Sequence, residues 1–359
     1  MAGYFSIKQY AGITDKLEVK LLRECCREIG ITSLIYNNME KIEDILSSKS
    51  FDFESLKRRY LNVLEKTYEK GGQNKCFKTQ FENGQGKELN SKFWSPISSS
   101  RLAFELYSWI ANFSQCKDIE FEFRLPGIIS GNREASAYMD VYIKTEKEIW
   151  FIESKFTEEA GCLGSSLPQA YYKQLTSTGE EDAASDFNED TYYKTAAGKL
   201  AKKPMSIKNR FRGQENVAKY FIPFVNHMMR IENSYEHDKW FDAKQETCHL
   251  FGIIMYIIEN VNNLVNEGID KVHLQNIYFC KYPKDSIRSS FTAAFISEAE
   301  KMVGNILEEY NIKNIRFEFG TSTVQDVLKK YGKEQSYVNM EKTVEESILE
   351  DFPGIDGFL

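Results

Sequence analysis

The stretch that most restricts the fold is SAYMDVYIKTEKEIWFIESKF, residues 136–156. Its first part alternates. Met139, Val141 and Ile143 fall on one face of an extended strand, and Tyr138, Asp140 and Tyr142 on the other, because successive strand side chains point to opposite sides. A polar KTEKE turn follows, and then EIWFIESKF, a nearly continuous apolar run ending in charge. Such a run is the pattern of a strand covered on both faces, so the chain has to build a layer on each side of it. Glu153 and Lys155 stand two apart and share a face, and a hairpin brings Asp140 beside them. Two carboxylates and one amine then meet at the end of a buried strand. Carboxylates in that setting are costly without a cationic neighbour, and a hard divalent metal is one candidate.

The rest of the chain supplies those layers. Residues 1 to about 70 read as helices: LEVKLLRECCREIG carries Leu17, Leu21, Leu22, Cys25 and Ile29 at helical spacing and stops at Gly30, a usual helix end. NNMEKIEDILSS and FESLKRRYLNVLEKTYEKGG continue in the same style. Residues 71–92 are rich in Gly and Asn and read as a loop or linker. The expected organisation is an N-terminal helical region over 1–90, an α/β core over 91–335 with an insertion at about 158–210, and an acidic tail over 336–359.

Within the core, Ser98 to Ser100 offer N-caps for a helix with Leu102 and Leu106 on its apolar stripe. Arg101, Glu105, Ser108 and Asn112 lie on its polar side. DIEFEFRLPG alternates, with Ile119, Phe121, Phe123 and Leu125 inward. After the insertion come a helix over 214–233, bent near Pro223, a strand HLFGIIMYII (249–258), a helix ENVNNLVNEG, a strand KVHLQNIYFCKYP, a helix over 290–310, a strand IRFEFGT and a helix STVQDVLKKYG. Strands that first meander and then alternate with helices predict a mixed sheet with helices on both faces.

Glu-x-Lys alone is a weak signal in a chain with 28% charged residues. Glu18–Val19–Lys20 also fits, but in a helical pattern, where residues two apart do not face each other. Asp242–Ala243–Lys244 fits the Asp form in a polar segment. Only Glu153–Ser154–Lys155 follows an apolar strand with an acid on the strand before it. The four histidines, His227, His237, His249 and His273, show no metal-ligand spacing, and Cys248–His249 opens an apolar run and reads as core. No P-loop, G-x-G-x-x-G or G-x-S-x-G is present.

Asp140 followed by Glu153–Ser154–Lys155 on consecutive strands, after a helix and a first strand, resembles the PD-(D/E)XK nuclease superfamily. The resemblance spans roughly residues 95–285. It implies an α/β restriction-endonuclease-like mixed β-sheet flanked by helices, with the N-terminal helical region outside it. It implies one or two Mg²⁺ (or Mn²⁺) ions on Asp140 and Glu153, helped by the Ser154 carbonyl. Lys155 would orient or deprotonate the attacking water, or stabilise charge on the phosphate. Met139 stands where the family name has proline. Glu105, on the first helix, matches a third metal-site carboxylate in many members; its other reading is an ordinary helix surface. Glu122 also has two readings, a site acid or part of a solvated face with Glu120 and Arg124, and the second is favoured. Members often place a Gln or Lys on the following helix, and Gln169, Lys173 and Gln214 are the choices.

The implied activity is metal-dependent DNA endonuclease chemistry on double-stranded DNA, with a homodimer to cut both strands. A net charge of −7 means any nucleic-acid surface must be local. Lys194, Lys199, Lys202, Lys203, Lys208, Arg210 and Arg212 form a basic block that either contacts phosphates or is a solvated loop. Two other classes stay open: a non-catalytic nucleic-acid-binding protein of the same fold, and an unrelated α/β protein whose Asp140–Lys155 cluster is a structural ion pair. Seven scattered cysteines without a C-x-x-C pair favour a reduced compartment. The opening MAGYFSIKQYAG lacks a signal-peptide core, and the apolar run Leu250 to Ile258 is short for a membrane span. The expectation is a cytoplasmic protein with no membrane partner.

Overall fold

A computed structural model of the chain describes residues 53–70, 73–84, 88–90, 93, 98–112, 114–126, 136–155, 192–194, 200–202, 214–232, 234–235, 241–278, 291–324 and 326–327. Helix α1 (Phe53–Glu65) leads into a hairpin of β1 (Thr67–Lys70) and β2 (Gln73–Cys76), then helices α2 (Phe77–Asn83) and α3 (Ser99–Tyr107). Strands β3 (Asp118–Arg124), β4 (Tyr138–Lys144) and β5 (Glu148–Lys155) follow, then a small hairpin of β6 (Tyr192–Lys194) and β7 (Leu200–Lys202). The chain continues through helices α4 (Glu215–Glu232) and α5 (Ala243–Asn266), strand β8 (Lys271–Tyr278), helix α6 (Phe291–Glu309) and strand β9 (Arg316–Thr323).

Five of these strands form one mixed sheet in the order β3-β4-β5-β8-β9. The pairs β3–β4 and β4–β5 are antiparallel; β5–β8 and β8–β9 are parallel. The apolar run of β5 therefore occupies the central strand, as a strand covered on both faces should. Ile149 and Phe151 enter the core on one face, with Phe221, Phe251 and Phe295 of α4, α5 and α6. Ile152 enters the core on the other, with Tyr60, Phe77, Phe81 and Phe104 of α1, α2 and α3. Helices cover both faces, as expected.

The α1–α3 face is held by rings. Phe81, Phe93, Phe104 and Phe121 lie with ring centroids 5.0–6.0 Å apart. Such pairs contribute about 0.5–1.5 kcal/mol each beyond their burial. The segment 71–92, expected as a loop, here contributes β2, α2 and two of the buried rings, Phe77 and Phe81. Gly84 ends α2, and the aromatics of the segment carry the packing.

Two further expectations are corrected. The run 249–258, expected as a strand, is the middle of the 24-residue helix α5, and the helix expected after it is its continuation. A short apolar run fits a buried strand and a buried helix equally; the ends decide. Asp242 caps the start by accepting from the Gln245 N–H. Gly268, at φ 77°, closes the end, with the Ile269 N–H bonded to Leu264 O and the Gly268 N–H to Val265 O, a Schellman ending. By length and composition alone α5 is apolar enough to cross a membrane; in the fold it packs on the sheet, and a Cβ at Gly252 would sit 2.7 Å from Leu125 Cβ. Second, the alternation of β3 breaks at Glu122, whose φ is 52°. Ile119 and Phe121 join the α1–α3 core, while Phe123 and Leu125 join the other. Phe123 there stacks on Tyr142 at 4.4 Å. On β4, Met139 likewise sides with Tyr142 rather than with Val141 and Ile143.

Candidate active site

The site is assembled by register. The antiparallel ladder of β4 and β5 ends at Val141–Ile152, and just beyond it Asp140 lies close enough to Glu153 for their charges to interact. The Ser154 N–H donates to Asp140 Oδ2 at 2.6 Å, fixing that carboxylate against the end of β5. Lys155 Nζ donates to Glu153 Oε1 at 2.8 Å, and the two side chains are only 9% and 6% exposed. All three groups lie at the carboxyl end of a central parallel strand, where open α/β sheets hold their ligands. Ser154 is buried, and its hydroxyl has no hydrogen-bond partner.

Helix α5 closes the arrangement, through residues that the sequence reading left out of the site. Its Asp242 cap places Gln245 in the first turn and His249 one turn later on the same side. Gln245 Oε1 accepts from Lys155 Nζ at 2.6 Å, and its Nε2 donates to Glu153 Oε1 at 2.7 Å. The ring of His249 reaches the other oxygen: Nε2 lies 3.7 Å from Glu153 Oε2 and 3.1 Å from the Tyr138 carbonyl. Its Nδ1 lies 3.6 Å from Glu246 Oε2. Asn276 of β8 is paired with Glu153 and buried, and its Oδ1 has no partner.

The electrostatics show a shortage of positive charge. Burial pushes the Asp140 carboxyl well above the usual carboxylate range, and the nearby Glu153 and Glu122 push it the same way; the Ser154 N–H and Lys155 oppose them. Burial alone would lower His249, but the Glu153 and Glu246 carboxylates outweigh it and raise the imidazole above its ordinary value. Two carboxylates at a buried strand end are hard oxygen donors, and Mg²⁺ is commonly held by one or two carboxylates with water and substrate phosphate completing its shell. Among the described residues no group of three His, Cys, Asp or Glu side chains is arranged to hold a metal ion. The oxygens of Asp140 and Glu153 are donors of the kind an open Mg²⁺ or Mn²⁺ site would use, and no closed protein cage forms among the described residues.

The remaining expected residues are placed as follows. Glu105 and Arg101 are buried on α3 rather than on a solvated polar side; α3 packs on β4 and β5, α1 lies outside it, and the Arg101 guanidinium sits 5.8 Å over the Tyr60 ring. Glu122 is half-buried, its side chain against Gly84 after α2. Gln214 bonds to the Tyr310 hydroxyl at the end of α6; among the described residues the glutamine that reaches Lys155 and Glu153 is Gln245. Asp242 and Lys244, the chance match, form a helix cap and an exposed first turn. Lys194 and Lys202 lie on the β6–β7 hairpin. Gln169, Lys173, Lys199, Lys203, Lys208, Arg210, Arg212, Glu18 and Lys20 lie outside the described residues, as do the N-terminal helices before residue 53 and the tail 336–359. A cavity of about 360 Å³ lined by Gln115, Lys147, Asp270, Lys271 and Arg316 opens at the other end of the strands, away from this chemistry.

No protein-family model, no curated protein and no solved structure matched the chain.

Proposed function

We propose that the chain is a divalent-metal-dependent phosphodiesterase of the restriction-endonuclease-like type, acting on double-stranded DNA. One observation carries this reading: Asp140, Glu153 and Lys155 converge at the carboxyl end of the central strand, where the Ser154 N–H holds Asp140 and Lys155 pairs with Glu153, and burial and then the neighbouring acids raise the Asp140 carboxyl. The sheet order, with three antiparallel strands followed by parallel ones and helices on both faces, supports the fold that the sequence pattern resembles.

In this reading Asp140 and Glu153 hold the ion. When bound, Mg²⁺ or Mn²⁺ lowers the pKa of a bound water and neutralises a phosphoryl oxygen. The chain's own groups do the rest. The Ser154 N–H fixes Asp140, and Gln245 holds both the Lys155 amine and the Glu153 carboxylate in place. Lys155, paired with Glu153, supplies a buried cation near the reacting phosphate. Lys194, Lys202 and the rest of the basic block are the phosphate-contact candidates.

The test is incubation of supercoiled plasmid with purified protein in Mg²⁺, in Ca²⁺ and in EDTA. Nicking or linearisation is expected in Mg²⁺ alone. Nicking that survives Glu153→Ala would remove the assignment. A second reading has its own observation: Lys155 and Glu153, both barely exposed, already satisfy each other and Gln245, as a structural ion pair would. It predicts no cleavage under any condition and a loss of stability alone in Lys155→Ala.

A further inference from the structure

We propose that Asn276 is a further positioning residue of the site, its side-chain oxygen accepting a hydrogen bond from water carried by the ion on Asp140 and Glu153. This role rests on the hydrolase reading above. Asn276 is 1% exposed, and its Oδ1 has no hydrogen-bond partner. A buried acceptor left unmade is a net cost to the fold, and each such group in a native protein needs a reason.

Register places the side chain. The parallel ladder pairs Asn276 of β8 with Glu153 of β5, and Leu274 with Phe151. Paired residues on neighbouring strands share a face, and the strands lie about 4.8 Å apart. Leu274 and Tyr278, two residues to either side of Asn276, join the α4–α6 core, and Glu153 meets Gln245 of α5. Asn276 thus stands on the sheet face that carries Glu153 and Lys155.

The Asn276 Oδ1 and the Glu153 carboxylate are both acceptors, so neither can satisfy the other. A cation or a hydrogen-bond donor would complete both. The donors Lys155 Nζ and Gln245 Nε2 are directed to Glu153 Oε1 and Gln245 Oε1, not to Asn276. Thr321, paired with Asn276 from β9, does not satisfy it either. Contact through water fits better than direct ligation. Asp140 is on β4 and Asn276 on β8, the strands on either side of β5, so about 10 Å of sheet separates their backbones. Oxygens on opposite sides of one Mg²⁺ stand only about 4 Å apart. Mg²⁺ keeps several of its waters. A water on the ion lengthens the reach toward β8 and brings the donor that Oδ1 lacks. Groups that steady a metal's surroundings in this way are typically worth about 10–100-fold in affinity.

The test is Mn²⁺ calorimetry and metal-free thermal melting of wild type, Asn276→Leu and Asn276→Asp. Leucine keeps the approximate shape and removes the stranded oxygen. That variant should melt higher than wild type without metal and bind Mn²⁺ about tenfold more weakly. Aspartate adds a charge at the same place, so it should melt lower without metal and bind Mn²⁺ more tightly than wild type. A purely structural bond from Asn276 would lower the melting temperature in both variants. A leucine variant that melts below wild type or fails to fold overturns the proposal, as does one whose affinity stays within about twofold of wild type. The aspartate variant reads the same position independently, and unchanged or weaker Mn²⁺ binding there also overturns it. In each of those cases Mn²⁺ binding by wild type leaves the hydrolase reading standing. A wild type that binds no Mn²⁺ defeats the hydrolase reading and the role of Asn276 together.

Discussion

Strand β5 carries a charged cluster at each end, and the two are built differently. At the amino end, Glu148 receives the Trp150 indole N–H at 3.2 Å. Lys271 reaches Glu148 and Glu318 at 3.7 and 3.1 Å, and His273 lies between the same two acids while stacked on Trp150 at 3.6 Å. Glu148 and Glu318 there are 34% and 45% exposed. At the carboxyl end the chemistry is similar, but Glu153, Lys155, Glu246 and His249 are buried and Asp140 is half-buried. Exposed pairs tolerate imperfect partners because solvent completes them. Buried ones do not, and a fold keeps an incompletely paired buried cluster only where something else depends on it. The pushed-up Asp140, the partnerless oxygens of Glu246 and the idle Asn276 Oδ1 occur at the carboxyl end of the strand, the end to which the proposed reading assigns the chemistry.

The comparison breaks most easily at Lys155. Lys155→Ala strips the buried cation from Glu153 and should lower stability by about 3–5 kcal/mol, a loss read directly by denaturant or thermal unfolding. A change under about 0.5 kcal/mol would mean that the carboxyl-end cluster is as loosely held as the exposed one.

A change of the opposite sign is expected next. Asp140→Asn keeps an oxygen for the Ser154 N–H and removes a crowded charge, so it should stabilise the ion-free protein by ~0.5–2 kcal/mol. The folded-state pKa of Asp140 is raised above its unfolded value near 3.8. Below that value the group is protonated in both states and the variant gains nothing. As pH rises through the folded-state pKa the wild type loses stability, so the variant's advantage grows and is greatest at alkaline pH. Melting curves from about pH 4 to 9, a span that starts near the ordinary carboxylate value, test the sign. Adding Mg²⁺ should raise the melting temperature of the wild type and leave the variant unmoved, since binding to the folded state stabilises it.

The smallest effect belongs to the other end of β5. Glu318→Gln should shift stability by no more than about 0.5 kcal/mol, and less in high salt. A larger loss would show that the amino-end cluster is also under tension and would blur the distinction.

How much of this was legible in the chain depends on where the signal lay. The central strand and the Asp140–Glu153–Lys155 set were readable because period-two alternation and an apolar run ending in charge are local patterns. Gln245 and His249 were hidden because the run from Leu250 to Ile258 reads equally as strand or helix, and a strand assignment scatters residues that one helix face unites. The clue was the distance from Asp242, a good N-cap residue, to Gly268, a good helix end: that span is too long for a strand. The flip at Glu122 could not be seen, since a single residue at positive φ leaves no trace in the alternation of DIEFEFR. The burial of Arg101 involves Tyr60 of α1, and α3 packs on β4 and β5, long-range contacts that no window of residues reports.

The most direct test of the central claim is plasmid cleavage in Mg²⁺ by Asp140→Asn beside wild type, at equal concentrations of folded protein. The expected result is a variant at least as stable as wild type whose cleavage falls by about 10³-fold or more, the scale on which rates respond to several kcal/mol of lost transition-state stabilisation. Cleavage by the variant at the wild-type rate would contradict it, because the crowded carboxylate at the end of β5 would then have no part in the chemistry.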